Sequence, residues 1–310
     1  MARFAFVFPG QGSQSAGMMQ PFADSRAAKD VFAEASEVLK QDLWKLVAEG
    51  PAEELNSTVN TQPVMLTAGY AVYRAWRDAG GAEPAVVAGH SLGEYTALVA
   101  AGALAFRDAL PLVRFRAQAM QEAVPAGEGA MAAILGLDDD AVRNACREAA
   151  QGQVVEAVNF NAPSQVVIAG NKAAVERGAA AAKAMGAKRA VMLPVSAPFH
   201  SSLLKPAADR LAGRLEGIQV SKPRIPVVNN VDVVMESEPS RIKAALARQA
   251  CSPVRWVEVI RQIAAQGVAH VAECGPGKVL AGMTRRIDDK LQGHAITDAS
   301  SLDQVMAAVK

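Results

Sequence analysis

The chain has 310 residues, enough for one large domain or two ordinary ones, and its hydrophobic fraction of 51% fits a compact globular protein. Thirty-two basic against thirty-one acidic side chains leave a net charge near +1, which argues against a dedicated nucleic-acid or membrane-surface binder. The three cysteines, Cys146, Cys251 and Cys274, stand far apart with no C-x-x-C pair, so no metal or redox site is expected and a reducing, cytoplasmic setting is.

Phe4 to Phe8 reads as a buried strand, too short an apolar run for a signal peptide. Pro9-Gly10-Gln11-Gly12-Ser13-Gln14 then makes a glycine-rich loop leading toward a helix near Met18. This loop has neither the spacing nor the lysine of a Walker phosphate loop. Its glycines suit close backbone approach, and beside a reactive turn one of its N–H groups becomes an oxyanion donor. Helical patterning runs from Ala27 to Ala79, with breaks expected at Gly50-Pro51 and around Asn60 to Pro63.

The most informative stretch follows. Ala85 to Ala88 has the length and β-branched content of a buried strand, and Glu94 to Ala101 reads as a small-residue helix. Between them lies Gly89-His90-Ser91-Leu92-Gly93, the pattern G-x-S-x-G. Its glycines let strand and helix crowd together so that the serine sits on a strained turn with Oγ exposed. The N–H groups opening the next helix then favour negative charge near that oxygen. His90, Glu94 and the glycines interrupt the apolar run, so a soluble core is expected here and not a membrane span.

Arg107 to Val124 reads as the next helix. At helical spacing Arg116 shares a face with Ala109, Leu112, Val113, Ala119 and Met120, and so points inward. Two readings are open, an internal salt bridge to an acid such as Glu94 or a fork waiting for a substrate carboxylate. From Gly127 to Leu193 the pattern becomes β-α-β-β-α-β, with strands Ala130–Leu135, Val154–Phe160, Gln165–Ala169 and Arg189–Leu193 and helices Asp138–Ala150 and Lys172–Met185. That order predicts a ferredoxin-like small domain, residues 127–193, inserted into a large α/β domain made of residues 1–126 and 194–310, with a substrate cleft between them.

His200, in Pro198-Phe199-His200-Ser201, lies where the insertion ends and a helix to about Glu216 begins. Of the four histidines it is the best candidate base, against a structural histidine as the alternative; His90 sits inside the serine turn, His270 in an apolar strand and His294 in a polar loop. Ile225–Asn230 and Val268–Glu273 read as strands and Arg241–Gln266 as a helix broken near Pro253. Glu273-Cys274-Gly275-Pro276-Gly277 is a strand-to-helix turn with a structural role.

Taken together, Phe8 to Gln14, Gly89 to Glu94, Arg116 and Pro198 to Ser201 resemble the malonyl-CoA:acyl carrier protein transacylases of bacterial-type fatty acid synthesis. The resemblance covers essentially the whole chain and implies an α/β-hydrolase-like large domain carrying the ferredoxin-like small one. It further implies Ser91 as nucleophile, His200 as base, Arg116 as clamp on the malonyl carboxylate, and the N–H groups of Gln11 and Leu92 as oxyanion donors. The resemblance also implies that a backbone carbonyl near Gln249, in place of an acid, orients His200. Malonyl-CoA and the phosphopantetheine of acyl carrier protein are the implied substrates, with no permanently bound cofactor. A serine thioesterase or esterase and a non-catalytic carrier-binding module are the competing classes.

Overall fold

The computed structural model describes residues 2–195 and 197–310. In chain order the elements are β1 (Phe4–Phe8), α1 (Arg26–Leu39), α2 (Leu43–Glu49), α3 (Ala52–Asn56), α4 (Thr58–Asp78), β2 (Val86–Gly89), α5 (Gly93–Ala100) and α6 (Phe106–Glu122). Then follow β3 (Gly129–Leu135), α7 (Asp139–Ala150), β4 (Val155–Ala162), β5 (Gln165–Asn171), α8 (Lys172–Ala184) and β6 (Arg189–Met192). The last group is α9 (Lys205–Glu216), β7 (Val227–Val228), α10 (Pro239–Gln249), α11 (Trp256–Ala264), β8 (His270–Cys274), α12 (Val279–Ile287), β9 (Gln292–Ile296) and α13 (Ala299–Ala308).

These strands form two sheets in a mixed α/β molecule. The first has the order β7-β2-β1-β8-β9 and is parallel throughout. Helices cover both of its faces, which is why its central strand is apolar without alternation. Phe4, Phe6 and Phe8 of β1 point to one side against Tyr73 and Trp76 of α4, whereas Ala5 and Val7 point to the other, into a cluster with Trp256, Val259 and Ile263 of α11. The second sheet, β4-β5-β3-β6, is antiparallel with α7 and α8 packed on it.

Several expectations need correction. The helix expected near Met18 is only a single 3₁₀ turn, Gln20–Phe22, because Gly12 and Gly17 adopt left-handed backbone at φ 107 and 79 and break the run before α1. The break expected at Gly50-Pro51 is present, between α2 and α3, but none occurs at Asn60 to Pro63; α4 passes through Pro63, and the other interruptions fall at Ser57 and at Lys40, whose φ is 51. An internal proline costs about 3 kcal/mol, but α4 buries fifteen residues, which outweighs one lost hydrogen bond. The strand expected over Ile225–Asn230 is only Val227–Val228, and His294 lies on β9, not in a loop.

Register in the parallel sheet decides what lies next to what. Phe8 pairs with Gly89, and His90 N–H donates to the Phe8 carbonyl at 3.0 Å, so the loops leaving β1 and β2 emerge side by side. Both leave the carboxyl edge of the sheet, where open parallel sheets place their ligands. The packing there is so close that a Cβ on Gly93 would stand 2.1 Å from the Phe8 carbonyl oxygen, and one on Gly89 would stand 1.9 Å from the Gly93 carbonyl. We expect Gly93→Ala to lose about 2 kcal/mol or more of unfolding free energy by overpacking. Gly213→Ala, on the open face of α9 with no atom within 4 Å of the new methyl, serves as the control and gains up to about 1 kcal/mol from helix propensity. Urea unfolding of both variants decides it: equal stability for Gly93→Ala and wild type removes the close-approach argument.

Candidate active site

Ser91 sits between β2 and α5 with φ 52, a left-handed conformation uncommon for a residue with a side chain. Its N–H donates to Asn230 Oδ1 at 2.8 Å, and its carbonyl accepts from Gln249 Nε2 at 3.0 Å. Asn230 Nδ2 in turn donates to the Gly89 carbonyl at 2.8 Å, so one buried amide ties both ends of the turn. The chain past His200, itself at φ 68, brings that ring to Ser91 with Oγ and Nε2 2.7 Å apart.

The tautomer of His200 follows from its other neighbour. Nδ1 lies 2.9 Å from the Gln249 carbonyl oxygen, which only accepts, so Nδ1 carries the proton and bare Nε2 accepts from the Ser91 hydroxyl. Burial, followed by the positive charge of Arg116, drives the His200 pKa down to about 3, because both disfavour imidazolium. The ring is therefore neutral, with Nε2 unprotonated and facing the Ser91 hydroxyl.

Arg116 is 2% exposed and points to the same spot. Nη1 donates to Gln62 Oε1 at 2.7 Å, while Nη2 donates to Gln249 Oε1 at 2.9 Å and to Ser91 Oγ at 3.1 Å; the Tyr95 ring lies 5.4 Å from the guanidinium carbon. The salt bridge considered between Arg116 and Glu94 does not form: among the described residues no carboxylate oxygen comes within 4.0 Å of the guanidinium. Glu94 Oε2 is instead occupied by Gln249 Nε2 and Asn230 N–H, both at 2.9 Å. Burial raises the Glu94 pKa to about 7, the two hydrogen bonds opposing the rise. Arg116 is thus a buried cation surrounded by amide oxygens, with no full counter-charge in contact.

Gln11 and Leu92 border the same cavity of about 230 Å³, which lies between the two sheets and is also lined by Met131, Asn159 and Asn161 from β3 and β4 and by Leu280 and Met283 from α12. A Cβ on Gly10 would come within 2.6 Å of the His90 carbonyl oxygen, so the Gln11 loop touches the serine turn. Among the described residues neither the Gln11 nor the Leu92 N–H has a hydrogen-bond acceptor. The structure therefore gathers Ser91, His200, Arg116, Gln11, Leu92 and Gln249 in one place. It adds Asn230, Gln62 and the Gln249 side chain, which no local pattern distinguishes from other buried amides. Among the described residues no group of three or more His, Cys, Asp or Glu side chains could hold a metal ion.

A model of the acyl transferase domain matches residues 5–301, which defines the class of protein. At the level of sequence the chain is 57% identical over 303 residues to the malonyl CoA-acyl carrier protein transacylase of Escherichia coli strain K12, covering 97% of this chain and 98% of that one. It therefore belongs to the family of the malonyl CoA-acyl carrier protein transacylases. Among solved structures it is similar to an acyl-carrier-protein S-malonyltransferase from Burkholderia pseudomallei 1710b, with 66% identity, a TM-score of 0.97 and coverage of 98% and 99% of the two chains. It is also similar to a malonyl-transacylase in complex with a type II PKS acyl-carrier protein, with 53% identity, a TM-score of 0.98 and coverage of 99% and 100%.

The His200 environment has a measurable consequence. Its pKa in the fold is about 3 against 6.5 for a free histidine, so between those values the unfolded chain binds a proton that the folded chain does not. This contribution to stability is fully present above pH 6.5 and is lost as pH falls toward 3. In ¹⁵N NMR of histidine-labelled protein we expect the His200 ring still neutral, with Nδ1 protonated, at pH 5. A ring that charges near pH 6.5 contradicts the buried, Arg116-facing site.

Proposed function

We propose that this protein transfers the malonyl group of malonyl-CoA to the phosphopantetheine thiol of acyl carrier protein through a malonyl ester on Ser91. Family membership supports the reaction class, and the observation that carries the choice of acyl group is the buried, carboxylate-free Arg116 guanidinium 3.1 Å from Ser91 Oγ. A thioesterase or esterase would use the same serine and histidine without needing such a cation. We read residues 1–126 and 194–310 as an α/β-hydrolase-like domain and residues 127–193 as a ferredoxin-like insertion. The parallel five-stranded order and the antiparallel β4-β5-β3-β6 order support that division. A cytoplasmic enzyme without a permanent cofactor completes the reading; among the described residues no helix is long and apolar enough to cross a membrane.

In the first half-reaction Ser91 Oγ gives its proton to His200 Nε2 and attacks the thioester carbonyl. The Gln11 and Leu92 N–H groups, which have no acceptor among the described residues, receive the oxyanion of the tetrahedral intermediate. Collapse breaks the carbon–sulfur bond, and the departing coenzyme A sulfur takes the proton from His200, leaving malonyl-Ser91. In the second half the carrier thiol gives its proton to His200 Nε2 and its sulfur attacks the ester. Collapse then returns the proton to Ser91 Oγ. The Gln249 carbonyl holds His200 Nδ1–H throughout, so the ring keeps the same orientation in both directions. Arg116 pairs with the free carboxylate, which displaces its contact to Ser91 Oγ and keeps the acyl group in place while water is excluded.

Intact-protein mass spectrometry after incubation with malonyl-CoA tests the reaction directly. Wild type should carry a malonyl adduct that disappears on adding holo acyl carrier protein, and Ser91→Ala should carry none; an adduct of wild-type size on Ser91→Ala would refute the ester. His200→Ala should slow adduct formation by ~10² to 10⁴. For Arg116→Ala the ratio of malonyl to acetyl kcat/KM should fall by roughly 30-fold or more, since a buried charge-assisted contact is worth on the order of 2 to 5 kcal/mol. An unchanged ratio with a lowered Tm would make Arg116 a packing residue.

A further inference from the structure

Strand β4 does more than complete its sheet. Its pairing with β5 shifts register twice, between Ala157 and Asn159 and again between Phe160 and Ala162, leaving Val158 and Asn161 outside the ladder. Bulges of this kind re-aim groups that regular pairing would consume. The Val158 carbonyl accepts from Val254 N–H at 2.8 Å, and Phe160 N–H donates to the Val254 carbonyl at 3.0 Å, so β4 holds the segment that follows Gln249. Asn161 is buried, and its Oδ1 accepts from His90 Nε2 at 2.8 Å, which fixes the residue before Ser91. At its other end Glu156 grips Ser202, accepting the backbone N–H at 2.7 Å and the hydroxyl at 2.8 Å, two residues past His200.

We propose that β4 is a clamp on the three segments that bring Ser91, His200 and Gln249 together, with Asn161 and Glu156 as its positioning side chains. The inference rests on the acyl-transfer reading above and extends it. Ser91 and His200 both hold left-handed backbone, at φ 52 and 68, and such conformations persist only where the surroundings over-determine them. The three anchors come from one strand, so the spacing between the three segments is set by a rigid element and not by their own loops. Neither Asn161 nor Glu156 bonds Ser91 or His200, so each acts through a neighbour: Asn161 through His90, Glu156 through Ser202.

The test compares wild type, Asn161→Ala, Glu156→Ala and Glu156→Gln by two readouts. The first is the rate of malonyl-enzyme formation under single-turnover conditions, with KM for malonyl-CoA measured alongside. The second is the ¹⁵N NMR signature of the His90 Nε2–H and His200 Nδ1–H tautomers, which needs no substrate. A displacement of about 1 Å in a reactive geometry costs on the order of 10²-fold in rate, so each Ala variant should acylate roughly 10- to 100-fold more slowly. KM should change less than the acylation rate, because Asn161 and Glu156 bond His90 and Ser202 and neither bonds Arg116. Asn161→Ala should also mix the His90 tautomers and Glu156→Ala broaden the His200 signal, whereas Glu156→Gln, which keeps an acceptor for Ser202 N–H, should recover part of the rate. Acylation and imidazole signals both at wild-type levels in the two Ala variants overturn the clamp. So does a rate loss accompanied only by a lower Tm, with imidazole signals intact. A wild type that makes no malonyl adduct while the variants still disturb the imidazole signals supports the clamp and retires the malonyl reading instead.

Discussion

The left-handed backbone of Ser91 is the constraint on which the rest of the site depends. A non-glycine residue held at φ 52 costs on the order of 1 to 3 kcal/mol, and the surrounding structure supplies the contacts that hold it there. Gly89 and Gly93 allow β2 and α5 to meet at distances that a methyl group would prevent. Asn230 then takes the Ser91 N–H, and Gln249 adds a second donor to the Ser91 carbonyl, which also accepts from the Glu94 N–H of α5 at 3.1 Å. The reward of this geometry is the position of Oγ, which both accepts from Arg116 and donates to His200.

Electrostatically the site is built around one buried positive charge. Arg116 has amide oxygens around it and no carboxylate in contact; burial pulls its own pKa down, and its charge helps to hold His200 neutral. Glu94, the nearest acid in the network, is pushed up to about 7 by burial and spends its oxygen on Gln249 and Asn230. Gln249 therefore joins all parts of the site, with its carbonyl on His200 and its side chain on Arg116, Ser91 and Glu94. A buried cation with only dipoles for company binds an incoming carboxylate without first having to give up an ion pair.

The two sheets meet at this network and enclose the cavity between them. The parallel sheet supplies the turns at its carboxyl edge, since the pairing of Phe8 with Gly89 sets the Gln11 loop against the Ser91 turn. The antiparallel sheet supplies the opposite wall through Met131, Asn159 and Asn161, and β4 reaches across to the segments that hold His90, Ser202 and Val254.

Much of this was legible in the residues. The apolar run of β1, the β-α-β-β-α-β pattern, the inward face of Arg116 and the crowded serine turn all follow from periodicity and glycine placement, which are local properties of the chain. Local properties misled where packing outweighed them: Pro63 lies inside a helix because fifteen buried residues hold that helix together, and His294 lies on a strand because β8 provides an edge for it. What only the tertiary structure decided is the partner of each buried polar group. Arg116 meets Gln62, Gln249 and Ser91 and not Glu94, and Asn230 reaches Ser91 across 139 residues of sequence. Sequence period tells a side chain which way to face, but the acceptor it finds there belongs to another element, brought in by folding and invisible to any pattern along the chain.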